Sequence, residues 1–560
     1  MTFLEPSGRT AMRHALRALL LIPLVVACGD RSRGVSGGTV IIGASADADA
    51  LLPGIVRSIQ GRAASELIFD RIADIGPALN TVGDSGFVPR LAKSWRWSGD
   101  SLALTLQFDP AATWHDGTPV KSTDYAFALR LVRDPALASS ITADLAAIDS
   151  ISTPDAATAV VHFAQRDAEQ FYAATLLTPI PEHIFGSIAP TEIRTHAASA
   201  APVGSGRFRF VSWEPNVRLE LAAVPDHYRG GPSIDRVIFA RSPDVTSGLA
   251  RVWAAESDFW EPLTPDVLPE AARHPHVRVV SGPGFDYGFA VFNLQSPGAP
   301  TRAHPILGDR ALRRVLTMAI DRDAIRRTIF DSLASTGLGP FVRAQATADT
   351  TVIQIPFDSA AATSALDSLG WRIGRDGIRT RNGRPLRLAL LTPTSSAIRG
   401  RAAVLLQEQW RKIGVDARIE GVEFQAFLAR LNGGQFDVAL HAWRTTPSAR
   451  GIRSTWGSSA ISGNSIQNAG KYASGQFDAA VVRGLNASTL RERRAHLRLA
   501  YQTIIDDAPA IWLYEVKNAA AVHQRYVIPS WRSDAWWMTL GDWTVDPAQR
   551  LPRDAPPTTP

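Results

Sequence analysis

The stretch 402–420 constrains the fold more than any other. Ala402, Leu405, Leu406, Trp410 and Ile413 recur at the spacing of one helical face, and Gly414 stands where a helix stops. Val415-Asp-Ala-Arg-Ile-Glu then reads as a strand, so a helix delivers its chain directly into a strand, the unit of an α/β layer. Other strand signals recur along the chain. Thr39-Val-Ile-Ile-Gly-Ala-Ser is a β-branched run ending in small residues, and Leu102-Ala-Leu-Thr-Leu-Gln-Phe alternates apolar with polar. Segments 159–163, 219–224 and 236–240 continue the pattern between Gly and Pro turns. A chain of 560 residues has room for about three domains and an ample core. Mixed α/β architecture in several lobes is expected.

The N-terminal residues bear on compartment. Arg9, Arg13 and Arg17 precede an apolar run, 18–27, that is too short to span a bilayer and fits the core of a secretory signal. Val25-Val26-Ala27-Cys28 follows and resembles a bacterial lipobox, in which the Cys receives the lipid and becomes the new N-terminus. Cys28 is the only Cys in the chain, so an internal disulfide, a thiolate cluster and a CxxC redox pair are all excluded. The expectation is a signal peptide over 1–27, lipidation at Cys28 and a Gly-, Ser- and Arg-rich tether over 28–38. The protein is then held by lipid in the cell envelope, periplasmic or on the outer face of the cytoplasmic membrane. The net charge of +6 is diffuse, with 53 acidic residues interspersed among 59 basic ones, so no nucleic-acid partner is expected.

Ordered motifs cover nearly the whole body. Leu91-Ala-Lys-Ser-Trp-Arg-Trp, Thr113-Trp-His-Asp-Gly-Thr-Pro-Val and Ser122-Thr-Asp-Tyr-Ala-Phe-Ala-Leu are followed by Val203-Gly-Ser-Gly-Arg-Phe and Asp226-His-Tyr-Arg-Gly-Gly-Pro. Phe289-Ala-Val-Phe-Asn, the segment 309–322, Ala365-Leu-Asp-Ser-Leu-Gly-Trp and Phe436-Asp-Val-Ala-Leu-His-Ala-Trp complete the series. In this order they resemble family 5 of the bacterial extracellular solute-binding proteins, the oligopeptide, dipeptide and nickel carriers of ABC importers. The resemblance implies an α/β, bilobal periplasmic-binding-protein-like fold (type II, cluster C) with an extra domain inserted in the first lobe. The expected division is a first lobe of 39–60, 195–285 and 517–548, an inserted domain of 61–194, a second lobe of 286–516 and a flexible tail of 549–560. It implies a monomer without cofactor or chemistry of its own, which captures peptide or peptide-like solute in the interlobe cleft for ABC permease and ATPase subunits.

The resemblance also directs attention to Ala442-Trp-Arg-Thr-Thr-Pro447. In peptide-binding relatives this run carries a carboxylate that pairs with the ligand's ammonium; here Thr446 occupies its place and Arg444 adds a cation. That departure suits a ligand bearing carboxylate or phosphate, or a modified peptide. Trp443 and Trp456 flank a Gly-, Ser- and Thr-rich loop, a common lining for ligand clefts, whereas Trp410 and Trp512 read as core. Tyr287 and Asn293, beside the strand that enters the second lobe, complete the candidate contacts. Two other readings stay open. Gly83-Asp-Ser-Gly86 imitates part of a serine-protease signature without a matching His, which leaves a secreted hydrolase of peptide or glycan as an alternative. A sensory receptor on the same fold is the other. The 12 His include no HExxH, and His115-Asp116 lies in a scaffold turn, so no structural metal is expected.

Overall fold

The computed structural model describes residues 37–461 and 466–555. Cys28 and the segment read as its signal lie outside the described residues. At the centre is one mixed sheet threaded by two long strands, Val277–Phe292 and Ala510–His523, which run antiparallel along almost their whole length. On one side of this pair lie Phe259–Trp260, Thr39–Ala44, Arg236–Arg241, Arg218–Ala223 and Phe208–Glu214; on the other lie Val438–Arg444, Arg387–Pro393 and Asp416–Val422.

Each flank holds parallel neighbours, Thr39–Ala44 beside Arg236–Arg241 and Arg387–Pro393 beside Asp416–Val422. Parallel strands need a long crossover. In the second case it is the helix Ala397–Lys412, which ends as Gly414 takes a φ of +82° and releases the chain into the strand, as the sequence pattern requires. That helix buries Ala402, Ala403, Leu406 and Trp410, and the Trp410 indole donates to the Leu316 carbonyl at 3.0 Å.

The two long strands change partners midway. Residues 277–283 pair with 517–523, whereas 286–292 lie between Val438–Arg444 and the 510–516 part of the second long strand. The changeover is a register shift between Pro283 and Asp286. Gly284 sits inside it, where an added Cβ would lie 2.2 Å from the Val516 carbonyl oxygen, so backbones approach too closely for any side chain.

A separate antiparallel sheet, Ala92–Trp97, Ala103–Phe108, Thr158–Phe163 and Ile148–Asp155, packs against the helix Ser122–Arg133. The protease-like loop belongs to its scaffold: the Asp84 carboxylate accepts from the Trp95 and Trp97 indoles at 3.0 and 3.1 Å. His115 bridges the Gly204 amide and the Gly206 carbonyl, while Asp116 is engaged by His183 at 2.8 Å.

Two expectations are corrected. Residues 549–555 are not a loose tail, because Asp554 is buried, accepts from the Thr39 amide at 2.9 Å and pairs with fully buried Arg525. The division at 60/61 would cut the continuous helix Ile59–Ile68. Pro-rich composition and motif spacing show neither, since both depend on partners distant in the chain.

Candidate functional site

A cavity of about 760 Å³ is within the range of ligand-binding clefts. One wall comes from residues 53–75, 132–147 and 169–180, the opposite wall from 444–451, with Phe285 beside the strand changeover between them.

The helix Ile59–Ile68 supplies Arg62 and Glu66 to the first wall. Ser58 caps it by accepting from the Gly61 amide, and Ala63, Ala64, Leu67 and Ile68 are buried. Four residues apart on the remaining face, Arg62 and Glu66 pair at 2.9 Å. Burial opposes ionisation of Glu66, yet the Arg62 and Arg71 guanidiniums and the Trp537 indole hold its pKa down at about 2. From the helix Gln170–Leu176, Tyr172 also lines the cavity, its phenol pushed up to about 12 by burial against the opposing pull of Arg71.

Glu169, just before that helix, binds the two walls together. One carboxylate oxygen accepts from Arg493 and from the Thr81 hydroxyl, both at 2.6 Å. The other accepts from the Ser448 hydroxyl and Arg450 Nε, both at 2.7 Å. Glu169 is 2% exposed and Arg493 fully buried, so this ion pair is dry and its geometry fixed. Gln345 holds the same loop through its side-chain amide, which donates to Thr445 Oγ1 and to the carbonyls of Thr446 and Ser448.

Of the residues singled out in the sequence, Arg444 and Thr446 line the cavity. Arg444 ends the strand Val438–Arg444 and reaches Asp286 at 2.9 Å, half-exposed. Its charge is therefore compensated, and the repulsion of a ligand ammonium expected from an isolated cation is reduced. Burial raises the pKa of Asp286, with Arg444 opposing. Glu261 feels the same arginine: burial pushes its carboxyl up to about 7, against the Trp536 indole and Arg444.

The remaining candidates lie elsewhere, and the expectation that they face the cleft is corrected. Trp456 is 2% exposed and packs edge-on against Phe289 and Trp512 with ring centroids 5.1 and 4.8 Å apart. Its indole donates to the Tyr287 hydroxyl at 3.2 Å, which places Tyr287 in the same aromatic interior. Asn293, 1% exposed, ties two backbone carbonyls, Gly434 and Phe436. Trp443 is half-buried against His441 with ring centroids 4.7 Å apart, and lines only a recess of about 10 Å³.

Sequence reasoning missed Glu169, Ser448, Arg450, Glu66 and Tyr172. Only the Arg62–Glu66 spacing carried a local signal. Among the described residues no group of three or more His, Cys, Asp or Glu is placed to hold a metal ion, and no helix is long and apolar enough to cross a membrane.

A continuous α/β sheet crossed twice between its halves, with a ligand-sized cavity beside the crossing, defines a bilobal binding-protein fold. The chain belongs to the bacterial extracellular solute-binding proteins, family 5, whose model matches residues 86–464. A relative in Brucella ovis, named as an ABC transporter peptide-binding protein, is 30% identical over 293 residues; the match spans about half of each chain, 52% in both cases. HbpA2 from Haemophilus parasuis shares the fold at 17% identity with a TM-score of 0.78, covering 91% of this chain and 100% of that one. The oligopeptide-binding protein AppA from Bacillus subtilis, solved with a nonapeptide, gives a TM-score of 0.68 at 18% identity, with 92% and 100% covered. The fold class expected from the motifs is the one these structures share.

Proposed function

We propose that the chain is the extracytoplasmic capture subunit of an ABC importer, taking a peptide or peptide-like solute into the cavity between the 53–180 wall and the 444–451 loop. The observation that carries this reading is the cavity itself, ligand-sized and built from two walls on either side of a strand changeover, in a chain of this family. Relatives named for peptide binding support the ligand class. The changeover at 283–286 serves as the hinge, with 39–60, 195–285 and 517–548 moving against 286–516, and ligand completes the closed form that a permease recognises. Cys28 moors the protein to the membrane through lipid. The Ser448 hydroxyl that lines the cavity donates to Glu169, a carboxylate already ion-paired by Arg450 and Arg493 and so not free to act as a base, which favours capture over hydrolysis.

The test is to incubate the purified protein with a peptide library and read retention by native mass spectrometry. Peptide retained with its mass unchanged supports capture; cleaved peptide would make the protein a hydrolase, and retention of no peptide would reject the ligand class. Replacing Cys28 with Ser is expected to release the protein from membranes, as read by fractionation.

A further inference from the structure

We propose that part of the first wall is a pocket for an aliphatic side chain, so that the captured peptide is one carrying an apolar residue; the inference rests on the peptide reading above and names what that site selects. Across the rest of the cavity the charges are engaged. Glu66 is paired by Arg62 and Arg71, Glu169 by Arg450 and Arg493, Asp534 by both arms of Arg532 at 3.0 and 2.6 Å, and Arg444 by Asp286. Arg57 donates to the Ala138 carbonyl. What remains is apolar: Val132, Ile141, Ala173, Leu176, Leu177 and Ile180 line the cavity, and the exposed Asp144 is the one charged side chain among the lining residues of 132–147 and 173–180.

This wall is built into the fold. Val132, Leu177 and Ile180 are 2% exposed or less, and the turn 140–147 is anchored by Leu145, which is fully buried. The segments that carry the wall hang on one helix, Ser122–Arg133. The Tyr125 hydroxyl donates to the Ala174 carbonyl at 2.7 Å, the Thr142 hydroxyl to the Val132 carbonyl at 2.9 Å, and the Asp124 carboxylate accepts from the Glu182 amide at 2.9 Å. A surface fixed in advance spares a ligand the cost of arranging it. Ile141 and Leu176 are half-buried, so they keep apolar area that the fold leaves uncovered and that an incoming aliphatic side chain can cover. Burying a leucine there removes apolar surface from water on both sides of the contact, whereas a hydroxyl set against the same residues sheds its water without gaining a partner.

The test uses three pools of tetrapeptides matched in sequence except at one scanned position, which carries Leu, Ser or Lys, with retention read by native mass spectrometry on the wild type, Leu176→Gln and Ile141→Asn. The wild type is expected to favour the Leu pool over the Ser pool by about tenfold or more, the worth of one buried aliphatic side chain. Each variant puts an amide into the wall and is expected to cut that ratio by about threefold or more. A ratio near one in the wild type, a preference for the Lys pool, which Asp144 would draw, or a ratio unchanged in both variants overturns the pocket and leaves the peptide reading standing. Retention of no pool by the wild type overturns both. The two side chains are only half-buried, so each variant is expected to melt near the wild type, and if one fails to fold the other carries the comparison.

Discussion

The two sides of the cavity differ in how their charges are spent. Around Glu169 every carboxylate oxygen is satisfied by groups from distant parts of the chain, and the pair with Arg493 is dry. On the 140–147 turn the Asp144 carboxylate is exposed and has no side-chain partner among the described residues. The first arrangement holds walls together; the second leaves interaction energy for something that arrives from outside. A binding site needs both, because a ligand can be oriented only by groups that the fold has not already used.

Breaking the fixed side has the largest expected effect. Glu169→Ala leaves Arg493 buried without its counter-ion and is expected to cost about 3–5 kcal/mol in chemical denaturation; a loss below about 1 kcal/mol would show that the clasp is not dry. The aromatic interior behind the loop comes close in size. Trp456→Ala empties a buried site and is expected to cost about 3–5 kcal/mol, with peptide retention by the surviving folded protein unchanged. Lost retention at full stability would return Trp456 to the cleft.

An intermediate effect concerns pH. The Glu261 carboxyl is raised to about 7 in the folded protein from an ordinary 4.5. The folded state therefore binds this proton more tightly, so the associated stability is complete below about pH 4.5 and is lost as pH rises through 7. Glu261→Gln is expected to melt higher than the wild type at pH 8, by the equivalent of about 1–3 kcal/mol, and to match it at pH 5. Equal melting at both values would contradict the shift. The smallest effect belongs to Arg444, whose exposed pair with Asp286 is worth about 0–1 kcal/mol. Arg444→Ala should change stability little; a large loss would make Arg444 part of the fixed side.

What was legible in the sequence was local. The helix Ala397–Lys412, its stop at Gly414 and the strand Asp416–Val422 follow from spacing within some twenty-five residues, and the motif series carried the family. Glu169 was not legible, because its partners Ser448 and Arg493 lie 279 and 324 residues away and no spacing records them. Trp456 was misplaced for a related reason. The Gly-, Ser- and Thr-rich run beside it looks like cleft lining, but the Tyr287, Phe289 and Trp512 rings that enclose it arrive from strands remote in the chain. Asn293 was read as a ligand contact from its place beside the strand that enters the second lobe; the Gly434 and Phe436 carbonyls that hold its amide lie more than 140 residues away, and no local pattern records them.

Hydrogen–deuterium exchange with and without a retained peptide addresses the central claim most directly. Protection should rise together in 53–57, 140–147 and 444–451, on opposite walls of one cavity, as peptide bridges them. Protection confined to one wall, or falling outside these segments, would contradict capture between them.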